Sequence, residues 1–150
     1  PILFLGEWCK YYNRKDKWGR LEVLTAPYHW NDRKKLFVDY QHLQVIYEEL
    51  LVEMSTQLNQ LHSVDHSLRY WRILIGPWLG YFIQILFDRW SMLEHVIKEY
   101  EISKCYIIDR KLTSVVPNNM SHFTKLMVSD DWNEAIYSEL LRPLRLIKNK

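Results

Sequence analysis

Apolar residues recur at steps of three and four over two long stretches of the chain, and most of the fold can be read from them. Between Arg33 and Leu61 the positions are Leu36, Tyr40, Leu43, Tyr47, Leu50, Met54, Leu58 and Leu61. This predicts one helix over 33–61, with Asn31 or Asp32 as its N-cap. The spacing is close to a heptad seam. It is compatible with a coiled-coil homodimer and equally with a long helix packed on its neighbour. The second stretch carries Leu79, Phe82, Ile83, Leu86, Trp90, Leu93, Val96, Ile97 and Tyr100, which predicts a helix over 77–100. Ahead of it, Asp65 is placed to cap a shorter helix over 66–75. Pro77 lacks a backbone donor and crowds the preceding turn, so the two helices should separate at Gly76. The short HSVDHS connection sets the long helix and its successor antiparallel.

Two segments break this period. Ile2–Leu5 is apolar throughout and runs into Gly6, which predicts a buried strand over 2–5. Lys104-Cys105-Tyr106-Ile107-Ile108 predicts a second strand over 104–108, ending at Asp109. Both large helices fall between these strands, so the chain reads as a helix-rich α/β unit with few parallel strands and a long two-helix crossover. Residues 10–34 read as a polar, basic loop in which Pro27, His29 and Trp30 precede the first long helix. Val115-Val116-Pro117-Asn118-Asn119 reads as extended chain ending in a turn. Ser129 caps a last helix over 130–141, whose first-turn Asp130 and Asp131 complement the helix dipole and which ends before Pro143.

Composition narrows the class. A chain of 150 residues holds one core. A net charge of +2 argues against a dedicated nucleic-acid binder. Seven Trp and ten Tyr suit a large core or a carbohydrate-facing cleft. Cys9 and Cys105 are too far apart for a disulfide framework or a zinc site, and no metal site is expected. The chain opens on ILFL with no basic segment before it and no cleavage pattern, so no signal peptide is expected. Residues 73–87 are free of charge, but a bilayer span needs about 20 apolar residues. A GxGxxG loop, P-loop, HExxH, GxSxG and CxxC are all absent from the sequence.

The candidate chemistry has two sources. Polar groups at the carboxyl ends of parallel strands line ligand sites in open α/β sheets, which singles out Glu7, Trp8 and Asp109. Each has a plainer role available: Gly6 permits a turn, Trp8 packs under a helix, and Asp109 caps a turn. His66, Arg69 and Arg72 are spaced three apart beside Trp78 at the Gly-Pro break. Arginine forks match anionic oxygens and an indole packs on a sugar face, so the group suits a phosphate or a cluster of sugar hydroxyls. The alternative is that the arginines pair with carboxylates and Trp78 fills the core. His29, in YHWNDR, is an acid/base candidate by its near-neutral pKa, against the ordinary role of a surface loop histidine.

The segment HSLRYWRILIGPWLGYFIQILFDRW, with the opening LFLGEWC and the later HFTKLMVSDDWNEAIY, resembles transferases encoded in bacterial O-antigen and surface-polysaccharide biosynthesis clusters. Several blocks in the same order cover nearly the whole chain. Members of that family are several times longer, so the resemblance implies an N-terminal region. It also implies a glycosyltransferase-like enzyme of two-domain (GT-B-like) type, with an incomplete Rossmann-like half on this side that binds the acceptor. The nucleotide-sugar donor would then belong to the C-terminal half, with no cofactor held in this region. Partners would be a sugar or lipid-linked saccharide acceptor, in a cytoplasmic protein with peripheral contact to the inner membrane, for which the Trp-rich 70–90 segment is the candidate. Glu7, His66 and Asp109 would be the catalytic candidates. Trp8, Arg69, Arg72 and Trp78 would be the substrate-binding ones. Other classes compatible with the residues are a helical interaction or dimerisation module and a membrane-docking domain without catalysis.

Overall fold

A computed structural model describes residues 1–106 and 116–144. The two long helices form as their periodicity predicts. Helix α2, Arg33–His62, is capped by Asp32, whose side chain accepts from the Lys34 and Lys35 N–H groups. It closes at Ser63, which takes the left-handed conformation with φ 53°. There the Ser63 and Val64 N–H groups turn back to the carbonyls of Gln60 and Asn59, satisfying the last turn. Helix α3, Leu68–Leu74, and helix α4, Gly76–Glu99, then return along α2. Helix α1, Lys15–Trp18, is a single turn, while α5, Met120–Leu126, and α6, Asp130–Leu141, complete the helices. Ser129 caps α6 by accepting from the Trp132 N–H, as expected.

The start of α3 differs from expectation. Asn59 takes both backbone groups of His66: its Oδ1 accepts from the His66 N–H at 3.1 Å and its Nδ2 donates to the His66 carbonyl at 2.9 Å. The same Oδ1 accepts from the Trp71 indole at 2.9 Å. His66 is therefore held outside the helix, and Ser67 rather than Asp65 is the N-cap. The break before Pro77 is present and mild. Ile75 keeps a right-handed conformation, and its N–H and carbonyl still bond to Trp71 and Leu79. A side chain at Gly76 would meet the Tyr47 hydroxyl at 2.5 Å, so glycine lets α2 approach the elbow closely.

Strands β1, Ile2–Phe4, and β2, Val23–Thr25, pair in parallel, with Ile2 opposite Val23 and Phe4 opposite Thr25. β2 falls inside the segment read as loop, because a strand of three residues, set in a run of four between charged Glu22 and Pro27, is too short to show a period. Two 3-10 turns and α1 connect the strands. After β2 the chain runs through α2, α3 and α4 to Lys104–Tyr106, where Cys105 makes a single bridge; residues 107 and 108 of the expected second strand, and Asp109, lie outside the described residues. Helix α5 was also hidden in the sequence, seven residues long behind an Asn119 cap that accepts from the His122 N–H at 2.8 Å.

Helix α4 touches all three parts of the core. Leu79 and Ile83 pack on Leu43 and Leu51 of α2. Trp78 and Phe82 pack on Phe123, Trp132 and Ile136 of α5 and α6. Met92 and Val96 pack on Ala26 and the sheet. On α2 the buried line is Leu43, Leu51 and Ser55, with Tyr47 partly buried, rather than a seam through Leu50 and Leu61. Adjacent leucines at 50 and 51 leave the phase ambiguous, and steps of four through 43, 47, 51 and 55 follow the face turned to α4. Leu51 is 0% exposed and Leu50 is 40% exposed. Leu51→Asn should therefore unfold the domain, since Leu truncation at such sites alone costs about 2–5 kcal/mol. Leu50→Asn should melt close to wild type, and thermal melts of the two variants check the assignment.

Candidate functional site

The chain leaving β2 makes a tight turn that closes on the middle of α4. Ala26 is buried against Met92 and Val96. Pro27 follows, and His29–Asn31 form a 3-10 turn that delivers the chain to the Asp32 cap of α2. This turn presents two consecutive side chains to one carboxylate. The Tyr28 hydroxyl donates to Asp88 Oδ1 at 2.7 Å, and His29 Nε2 lies 2.9 Å from the same oxygen. Arg89 pairs with Oδ2. Arg89 also donates to Asn133 Oδ1 at 2.7 and 3.2 Å, and Asn133 Nδ2 donates to the Met127 and Ser129 carbonyls. One chain of polar contacts thus joins the β2 turn, α4 and α6.

Asp88 is 6% exposed and His29 7%. Burial pushes the Asp88 carboxyl up, but hydrogen bonds from His29 and Tyr28 and the Arg89 charge outweigh it and hold the group below its usual range. An ionised carboxylate only accepts, so His29 Nε2 must carry a proton, and in the neutral imidazole Nδ1 then holds the lone pair. His29 Nδ1 is buried with no hydrogen-bond partner. Tyr28 stays a phenol: burial, its bond to Asp88 and the Asp88 charge all raise it well above the ordinary tyrosine value. Tyr137, raised chiefly by burial and sensing the charges of both Arg89 and Asp88, also stays neutral.

A cavity of about 350 Å³ opens beside the pair, lined by Tyr28, His29, Ser91, Glu94, His95 and Lys98 among others. His95 Nε2 is a second buried imidazole nitrogen without a partner. The site therefore combines an oriented imidazole, a second imidazole and both signs of charge in a concave space, the constellation that proton transfer requires. Among the described residues, no group of three His, Cys, Asp or Glu is arranged to hold a metal ion.

The expected site residues divide. Trp8 packs edge-on against Tyr28, ring centres 6.0 Å apart, so the carboxyl ends of both parallel strands meet beside this site. Glu7 is exposed and paired with Lys10 at 2.9 Å. Arg72 makes a two-pronged pair with Glu48, both contacts 2.6 Å, which lowers the Glu48 carboxyl. It borders a separate groove of about 380 Å³ with Gln44, Tyr47, Gly76 and Gln84. Arg69 is exposed, and His66 stacks on Tyr70 at 4.0 Å. Trp78 lies in the core, stacked on Phe82 at 5.1 Å, with its indole nitrogen buried and unbonded. The structure does not gather His66, Arg69, Arg72 and Trp78 around one space, because His66 is outside the helix and the indole faces the core.

Asp88 was missed in the sequence, although it stands four residues before Met92 and eight before Val96, in phase with the buried stripe of α4. A charge in phase with an apolar stripe was the available signal.

A family model described as LIC12162 family transferase matches residues 1–150. The chain belongs to that family. No curated protein and no solved structure matches it. For a LIC12162 family transferase, the buried His29–Asp88 pair is the most developed acid/base geometry among the described residues.

Two measurements follow from this geometry. Asp88→Asn should destabilise the domain at pH 7 by about 1.5–3 kcal/mol, the usual worth of hydrogen bonds to a charged group. Because the folded carboxyl titrates below its ordinary value, that stabilisation is present above the unfolded pKa and is lost as pH falls through the lowered folded value. Melting curves of wild type and variant should begin to approach each other below about pH 4 and meet only once pH has fallen past the lowered folded value. Trp78→Ala should cost about 3–5 kcal/mol as a core truncation, whereas Arg72→Ala removes an exposed pair and should leave the melting temperature nearly unchanged.

Proposed function

We propose that this region is the acceptor side of a glycosyltransferase-like enzyme in O-antigen or surface-polysaccharide assembly, with His29 as its general base. The observation that carries this reading is the His29–Asp88 pair at the carboxyl ends of two parallel strands, its Nδ1 lone pair left without a partner. In the reaction, the acceptor hydroxyl gives its proton to Nδ1 and its oxygen bonds to the anomeric carbon of a nucleotide sugar. The bond from that carbon to the nucleotide phosphate breaks, and the phosphate leaves with the electron pair. Asp88, already bonded to Nε2, stabilises the imidazolium that forms. Nδ1 is closed off from water in the free protein, so acceptor binding must part the wall between it and the cavity. The parallel pair of strands, followed by the long helical passage through α2, α3 and α4, fits the beginning of a Rossmann-like half. A saccharide acceptor suits a site with Trp8 and Tyr28 at its edge.

A second reading has one observation in its favour. Val38, Val45 and Val52 lie seven residues apart on α2, each at least half exposed, with Leu61 exposed beyond them. That line suits self-association of two α2 helices.

The test is turnover of a panel of nucleotide sugars by the intact enzyme. His29→Gln retains an amide donor toward Asp88 and should fold, yet lower kcat by about 10²–10⁴-fold, the usual contribution of a positioned base. Full turnover in that variant would make the pair a structural clamp.

A further inference from the structure

The segment between the two strands stands out by charge and exposure. Residues 7–20 hold five cations, Lys10, Arg14, Lys15, Lys17 and Arg20, against Glu7 and Asp16, a net +3 where the whole chain has +2. The rest of the protein is therefore close to neutral in net charge. Lys10 is taken by Glu7 and Arg14 lies over the Tyr11 ring. Lys15, Lys17 and Arg20 are exposed, with no ion-pair partner among the described residues. Tyr12 is 87% exposed, and Trp8, Leu21 and Leu24 are exposed apolar residues flanking the segment in sequence.

The segment is built to hold its shape. The Trp18 indole donates to the Tyr11 carbonyl at 2.9 Å and packs edge-on against Phe4 of β1. The Tyr11 hydroxyl reaches Asp130 at the start of α6. An exposed aromatic residue and unpaired cations in one short segment are a composition that settles at a lipid interface, where the ring sits among headgroups and each cation meets anionic phosphate. In the other aromatic stretch, 70–90, Trp78, Phe82 and Leu86 are packed in the core, and the exposed Ile73, Leu74 and Tyr81 lie in sequence near Arg72, whose charge is already paired with Glu48. No helix among the described residues is long and apolar enough to cross a membrane.

We propose that the Lys10–Leu21 protrusion docks the protein on an anionic membrane surface, Tyr12 entering the headgroup layer and Lys15, Lys17 and Arg20 contacting lipid phosphates. Trp8 precedes this segment by two residues and packs against Tyr28 of the candidate site. Docking therefore brings that site near the bilayer, where an acceptor carried on a lipid would present its sugar.

The experiment is co-sedimentation of the intact protein with vesicles of phosphatidylcholine alone or with one quarter phosphatidylglycerol. Binding is expected only to the anionic vesicles and should be lost in high salt. The triple variant Lys15→Gln, Lys17→Gln, Arg20→Gln should weaken it at least tenfold, and Tyr12→Ser severalfold. Both changes are on exposed side chains, and unchanged melts would show that the fold is intact. His29→Gln should bind vesicles like wild type, so failure of the catalytic reading leaves this result standing. Equal binding to both vesicle types would overturn the proposal. So would tight binding to heparin or DNA with no dependence on Tyr12, which would make the patch a polyanion site instead.

Discussion

The Asp88 carboxylate is the interaction on which the arrangement of this domain depends. It is buried in the middle of the central helix and receives Tyr28, His29 and Arg89 at once. A buried carboxylate is tolerated only when its charge is matched and its oxygens are bonded. Here those partners come from two directions. The turn after β2 supplies the phenol and the imidazole, and Arg89 carries the network on to Asn133 of α6. The requirement that satisfies the charge also fixes the sheet against the helices and sets the tautomer of His29. Stability and chemistry share one set of bonds.

The rest of the fold delivers α4 to that position. Asn59 ties off the return from α2 by holding the His66 backbone and the Trp71 indole. Gly76 lets Tyr47 sit against the elbow between α3 and α4. From there α4 lays apolar side chains on α2, on the α5–α6 pair and on the sheet. Asp88 falls where the last two of these contacts meet, beside the carboxyl ends of the strands. That a parallel pair places its polar groups there follows from strand geometry, with both chains leaving the sheet on the same side. The transferase family supplies the reaction class, and the oriented imidazole supplies a reason for the position.

Long periodic elements were legible from sequence. The α2, α4 and α6 helices, the break before Pro77 and the Ser129 cap follow from spacing and from the hydrogen-bonding needs of helix ends. Short elements were not, since β2 and α5 are carried by three and seven residues whose identity is decided by what packs on them. The arginine group drew attention by helical spacing, yet Glu48, 24 residues away from Arg72, neutralises it. No local pattern reveals such a partner. The site itself is nonlocal in the same sense. His29 and Asp88 are 59 residues apart, and a histidine in a polar loop looks solvated until a helix closes over it. Trp8, which packs on Tyr28, was singled out because strand ends are a topological position, readable before the partners are known.

The central claim is that an ionised Asp88 accepts a proton bond from His29 Nε2 and leaves Nδ1 as the basic nitrogen. Nitrogen-15 NMR of the imidazole side chains, with His29 assigned by its loss in His29→Gln, reads this directly. For the neutral imidazole the account predicts the proton on Nε2 and a bare Nδ1 for His29, with that preference weakened in Asp88→Asn. A His29 resonance showing the proton on Nδ1, unchanged by Asp88→Asn, would contradict it.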